Sequence, residues 1–91
     1  MEFEWDENKA NLNEQRHGVT FEEAELAFQD ANAVEILDEL NSAEEIRYQI
    51  IALSPMRLLF VAFTVREETI RIISARKANA KQVKIYNEYN R

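Results

Sequence analysis

Apolar positions are densest from Leu58 to Val65 (Leu-Leu-Phe-Val-Ala-Phe-Thr-Val), a run bounded by Arg57 and Arg66. A run this rich in β-branched and aromatic residues suits a central strand covered on both faces. The pattern predicts Leu59, Val61 and Phe63 on one face and Leu58, Phe60 and Ala62 on the other, both largely buried. After the polar turn Arg66-Glu-Glu-Thr69, the segment Ile70-Arg-Ile-Ile-Ser-Ala75 alternates around Arg71 and reads as an antiparallel neighbour. Upstream, Ile46 to Leu53 alternates and then turns apolar. Ser54-Pro55-Met56-Arg57 has the residues of a type I turn, which would join that strand to the central one as a hairpin. Val34-Glu-Ile-Leu-Asp38 is a further strand, and Asn41 to Glu45 a polar loop with room for a helical turn.

The flanks are helical in pattern. Asp6 is a good N-cap for a helix over about 7–16, and Gly18 is suited to end it in the left-handed conformation. Phe3-Glu4-Trp5 before it is either an edge strand or a hydrophobic lead-in. Thr20-Phe-Glu-Glu23 has the form of a capping box, with Thr20 taking the N3 amide and Glu23 reaching back. A helix to about Phe28 then carries Phe21, Ala24 and Phe28 on one stripe. Asn79 and Gln82 form a second capping box, for a last helix over about 80–89, with Ala78, Gln82, Ile85, Tyr86 and Tyr89 toward the side that docks on the sheet. Lys77, Lys81 and Lys84 recur at i, i+4 and i+7 on its flank. The sum is a single α+β domain over 1–91: about four antiparallel strands, two N-terminal helices and one C-terminal helix.

Charge changes the picture more than composition does. The chain is −6 overall. Residues 1–56 hold three bases against fourteen acids, a net of −11, whereas residues 57–91 hold eight bases against three acids, a net of +5. Such asymmetry is a hint of a polyanion-binding surface, though ion pairs between the halves would account for it equally well. The absence of cysteine excludes disulfides and thiolate zinc sites and permits a reducing compartment. No apolar run reaches the ~20 residues of a membrane span, and the acidic N-terminus is unlike a signal peptide. The expectation is a soluble cytoplasmic protein without cofactor or metal.

Several patches together resemble the BrnT family of toxins from bacterial type II toxin–antitoxin pairs. Phe3-Glu-Trp-Asp6, Lys9, Asn13, Arg16-His-Gly-Val19 and Phe21-Glu-Glu-Ala24 look like that family's opening. Arg71-Ile-Ile-Ser-Ala-Arg-Lys-Ala78 and then Tyr86 are similar to its ending. Departures are Asn79 and Gln82, where Thr and Glu are common, and Ser54, where many members have Gly. The resemblance implies a RelE-like fold and a metal-independent endoribonuclease that cleaves RNA and blocks translation. It also implies neutralisation by a BrnA-type ribbon-helix-helix antitoxin, which alone would contact operator DNA, with a toxin homodimer as an option within the complex. The alternative is a non-enzymatic or degenerate module that only docks its antitoxin in a DNA-bound repressor complex.

Metal-independent RNA cleavage needs a base for the 2′-hydroxyl proton, cations for the phosphorane charge and an acid for the leaving 5′-oxygen. A single histidine rules out a two-histidine pair within one chain. Arg76, at the end of the strand that neighbours the central one, can present a planar fork to phosphate or else pair with an acid of the first half. Arg66 is the next candidate. Arg71 falls on the opposite face from Arg76 by the two-residue period, unless a bulge intervenes. His17, the one side chain of a type suited to acid–base work near neutral pH, is either an acid–base group or a helix C-terminal cap. Lys77, Lys81, Lys84, Arg71 and Lys9 are candidate RNA contacts, with Tyr86 or Trp5 as stacking partners if they are not spent in the core.

Overall fold

The computed structural model describes residues 1–41 and 45–91. Strand β1 (Glu2–Glu4) leads into helices α1 (Glu7–His17) and α2 (Phe21–Ala27). Strand β2 (Val34–Asp38) follows, closed by a 3₁₀ turn at Glu39–Asn41. Strands β3 (Arg47–Leu53), β4 (Leu58–Arg66) and β5 (Thr69–Lys77) then precede helix α3 (Ala80–Tyr89). The rest of the polar loop expected at 41–45, residues 42–44, lies outside the described residues.

The architecture is α+β, as the pattern predicts, but the sheet has five strands in the order β1-β5-β4-β3-β2. The extra strand is β1, which runs parallel to β5 from Glu2↔Thr69 to Glu4↔Arg71, while every other pairing is antiparallel. The edge-strand reading of Phe3-Glu4-Trp5 is therefore the right one, and the sheet is mixed.

Helix ends follow the side chains placed there. Asp6, Thr20 and Asn79 each accept the amide of the third helical residue, and Asn79 with Gln82 completes a reciprocal box. Gly18 ends α1 at φ +67°, a conformation that penalises any Cβ. The box at Thr20 is only half made. Glu23 does not reach back; its carboxylate is taken by Arg57, at 2.8 Å to Nη2 and 3.0 Å to Nε. Ser54 Oγ donates to the same carboxylate at 2.8 Å and accepts the amides of Met56 and Arg57. Arg57 Nη2 also donates to Gly18 O at 2.8 Å. One buried glutamate thus ties the end of α1 and the start of α2 to the β3–β4 hairpin. The Ser54 amide closes that hairpin by donating to Arg57 O at 2.8 Å, while the Arg57 amide, the donor of the expected type I bond, goes to the Ser54 side chain instead.

The Arg57 guanidinium, aided by Ser54 and working against burial, holds the Glu23 carboxyl below its ordinary range. A lowered folded pKa means the network's contribution is complete above the unfolded value and is lost as pH falls through the folded one. Unfolding free energy should therefore fall as pH drops below the ordinary glutamate range, and Glu23→Gln should lose this part of the acid dependence. The same substitution should cost about 3 kcal/mol at neutral pH, the low end for a broken buried pair because Arg57 keeps access to water. Urea titrations at several pH values would measure both.

One sheet face packs against α1 and α2. It carries Leu59, Val61, Phe63, Ile70, Ile72 and Ala75, which bury with Val19, Phe21, Ala24 and Ala27. Phe63 meets Phe28 edge-on at 5.0 Å and stacks on Tyr48 at 5.6 Å. Trp5 is spent in the same core, edge-on to Phe21 at 5.9 Å. The opposite face differs from expectation: Leu58, Phe60 and Ala62 are only half-buried. Helix α3 packs on β3 and covers one end of that face, leaving the rest open.

Candidate functional site

The open face is where the arginines gather. On β4, residues 58, 60, 62, 64 and 66 point to it, so Arg66 does too. Across β3–β4, Arg47 stands opposite Thr64, and across β4–β5 Thr64 stands opposite Arg71. Further along, Phe60 stands opposite Arg76. The register slips between Ala62 and Phe63: Ala62 pairs with Ser74, but Phe63 pairs with Ile72. Ile73 is the extra residue of a β-bulge, and one extra residue reverses the alternation beyond it. Arg71 and Arg76 therefore share a face, which corrects the two-residue count. Their Cα atoms are at most roughly 16 Å apart along β5, a span over which two long side chains can address neighbouring phosphates of one strand.

These arginines are held differently. Arg76 lies over the Phe60 ring, its Cζ 4.9 Å from the centroid, and among the described residues no carboxylate pairs with it. The ring fixes the guanidinium plane without neutralising its charge. Arg71 approaches Glu4 at 3.7 Å, and Arg66 gives two hydrogen bonds to Glu45, at 3.0 and 3.2 Å. Arg47 is also engaged. Between Arg47 and Arg71 in the register, Thr64 is buried and its Oγ1 has no hydrogen-bond partner. The pairs of Arg57, Arg66 and Arg71 all join an acid of the first half to a base of the second. Ion pairing thus absorbs part of the charge asymmetry and leaves Arg76 out of it.

Beside this face, at the outer edge of β5, lies a cleft of about 340 Å³ lined by Lys9, Leu12, Asn13, Arg16, His17, Ile73 and Ser74. Its charged groups are all basic. Strand β1 covers β5 only as far as Arg71, and α1 takes over the edge from there. Buried Asn13 stands in for a strand: its Oδ1 accepts the Ala75 amide at 3.1 Å, and its Nδ2 donates to Ala75 O at 2.8 Å and to Val19 O at 2.9 Å. Both amide hydrogens of Asn13 are thus used. Lys9, Asn13 and Arg16 fall at i, i+4 and i+7, so anchoring Asn13 aims Lys9 and Arg16 along the same edge. His17 joins Lys9 in the cleft despite their spacing of eight. The sequence reading gave Asn13 no such role; a polar residue one turn beyond inward-facing Ala10 was the available signal.

The other candidates disperse. Lys77 belongs to the end of β5, not to the helix, so only Lys81 and Lys84 stand on α3, and Lys84 lies 4.0 Å from Glu88. Tyr86 is committed elsewhere: its hydroxyl donates to Asp30 Oδ2 at 2.7 Å, and burial followed by that hydrogen bond pushes its pKa up. Asp30 also takes the amides of Leu53 and Asn32, so Tyr86 fastens α3 to the β2–β3 side of the sheet. Among the described residues no cluster of three or more His, Asp or Glu side chains could hold a metal ion. None of the described helices is long and apolar enough to cross a membrane.

Comparison with known protein families gives a match over most of the chain. The family described as "Ribonuclease toxin, BrnT, of type II toxin-antitoxin system" matches residues 5–82. No curated protein matches the chain.

Proposed function

The chain belongs to the BrnT family of ribonuclease toxins from type II toxin–antitoxin systems, and from that premise we propose that it is a cytoplasmic, metal-independent endoribonuclease that blocks translation until an antitoxin of the BrnA type binds it. The substrate strand crosses the open face, with its reacting phosphate at the join between Arg76 and the Lys9–Arg16–His17 cleft. The observation that carries this reading is the place of Ser74. It stands next to the bulge on the arginine face and also lines the basic cleft, so the two cationic surfaces are continuous.

In this arrangement the 2′-oxygen attacks phosphorus and loses its proton, and the 5′-oxygen departs and gains one. His17 is the group placed to carry a proton near neutral pH. Arg76, planar and held by Phe60, stabilises the added charge on the phosphorane. Arg71 supports it from the same face. Lys81 and Lys84 extend the basic track beyond the site.

The test is cleavage of RNA, free and ribosome-bound, by antitoxin-free protein in excess chelator. The expected result is cleavage leaving 2′,3′-cyclic phosphate ends, with RNA binding that weakens steeply as salt rises. Chelator-sensitive cleavage, or none on either substrate, would overturn it. The second reading is a module that only docks its antitoxin. It is favoured by the two ion pairs, Arg66–Glu45 and Arg71–Glu4, that engage arginines of the face, and it expects a folded protein that binds antitoxin without arresting growth.

A further inference from the structure

Away from the arginines, one outer edge of the sheet carries acids that the ion pairs leave over. Between Arg16 and Arg47 there is no lysine or arginine. Strand β2 lies in that stretch and is the outermost strand: its inner edge pairs with β3, and among the described residues no strand pairs with its outer edge. Its sequence, Val34-Glu-Ile-Leu-Asp38, runs on into Glu39. Unpaired edges template further strands, and charges of one sign along an edge choose what pairs there.

Next to this edge the helix-covered face is bare. Helices α1 and α2 lie over β5 and β4. They leave Leu37 of β2 at 50% exposure, Ile46 at 57% and Val65 at 46%. Leu37 stands opposite Tyr48, on the helix-packed side of the sheet. Val65 stands opposite core residue Ile70, on that same side, and Ile46 comes immediately before Arg47, the residue paired with Thr64. Leu40, in the turn after β2, is 94% exposed. An apolar surface of this kind, rimmed by Glu35, Glu39, Glu67 and Glu68 and continuous with a free edge, is unusual on a protein that works alone.

We propose that β2 and the Leu37–Ile46–Val65 surface form the docking site for an extended, basic and apolar segment of the antitoxin. That segment would add a strand to β2, place alternate apolar side chains against Leu37 and Ile46, and set its lysines or arginines against Glu35 and Glu39. A second copy of this chain fits poorly, because pairing two β2 edges brings two sets of these acids together with no base between them. The proposal rests on family membership for the existence of the antitoxin. It does not rest on nuclease activity, since the surface lies across the sheet from the arginines.

The experiment is titration calorimetry of the antitoxin encoded with this protein into wild type and into Leu37→Lys, Ile46→Lys and Glu35→Lys/Glu39→Lys, each first shown by circular dichroism to fold. Wild type should bind with affinity that falls with salt. Each variant should weaken binding at least 10-fold, whereas Arg76→Ala should bind as wild type does. Amide exchange of β2 should slow on binding. Unchanged affinity in the folded Leu37→Lys and Ile46→Lys variants would overturn the proposal. So would loss of binding only in Arg76→Ala, which would place the antitoxin on the arginine face. An antitoxin-free dimer that Leu37→Lys splits would overturn it in favour of self-association. Failure of RNA cleavage leaves every one of these readouts intact.

Discussion

Arg76→Ala should lower the rate of RNA cleavage by about 10²–10³ while leaving the fold intact. The magnitude is that of removing one preorganised charge contact from a developing phosphorane. The fold should survive because Arg76 makes no ion pair among the described residues, and the cation–π contact with Phe60 is worth only about 0.5–1 kcal/mol at a partly exposed site. Arg76→Lys separates charge from shape: a lysine keeps the positive charge but loses the planar fork and should recover part of the rate. The bulge at Ile73 decides what Arg71→Ala does. Counted by twos, Arg71 would be a control on the far face. With the register shifted it shares the face of Arg76, and its replacement should lower activity as well. The loss should be smaller, because Glu4 at 3.7 Å already screens Arg71. Arg66→Ala should cost least, its guanidinium being turned to Glu45. Single-turnover cleavage beside thermal melts measures the series. Full activity in folded Arg76→Ala would remove the open face from the mechanism.

Local rules made much of this legible in the sequence. The caps at Asp6, Thr20 and Asn79, the left-handed Gly18 and the strands from Val34 to Ala75 depend on near neighbours in the chain, and the pattern shows them. What escaped depends on distant partners. Nothing in Ile72-Ile-Ser74 marks a bulge, because the extra residue is an isoleucine rather than the glycine that often signals one, and its evidence is the register with β4. The tight turn after β4 was visible as polar, but not that Glu67 and Glu68 both take positive φ, at 49° and 75°, where Asn-Gly would be expected. Glu23 looked like half of a capping box because that rule spans three residues; its actual partner, Arg57, lies 34 residues on and is nearer in space. Asn13 bonds to Ala75 across 62 residues. The same limit governs the site. Arg76 could be singled out from strand position and residue type, but the meeting of Arg71, Arg76 and Ser74 with Lys9, Arg16 and His17 follows from α1 replacing β1 along the edge of β5.

Phe63→Ala should destabilise the protein by about 3–5 kcal/mol, the range for removing a well-packed aromatic from a core. Phe63 is 4% exposed, sits between Phe28 and Tyr48, and lies opposite Ile72 where the strand register slips. Its removal loses the transfer energy of the ring and two aromatic contacts, and opens a cavity that the flanking strands cannot close without changing the bulge. Against a total of about 5–15 kcal/mol for a domain of this size, the variant would be close to unfolding at 37 °C. Phe60→Ala makes the contrast. The apolar run alone treats the two rings as equals, yet Phe60 is half-buried on the open face, beneath the Arg76 guanidinium. Its loss should cost about 1–2 kcal/mol, since part of the ring already faces water. The two variants should also differ in what they do to cleavage per folded molecule. Phe60→Ala frees the guanidinium plane and should slow the reaction, whereas Phe63→Leu keeps most of the core volume and should leave the rate near that of wild type. Urea denaturation gives the first comparison and single-turnover rates the second. A Phe63→Ala cost no larger than that of Phe60→Ala would mean that the helix-covered face is not the principal core.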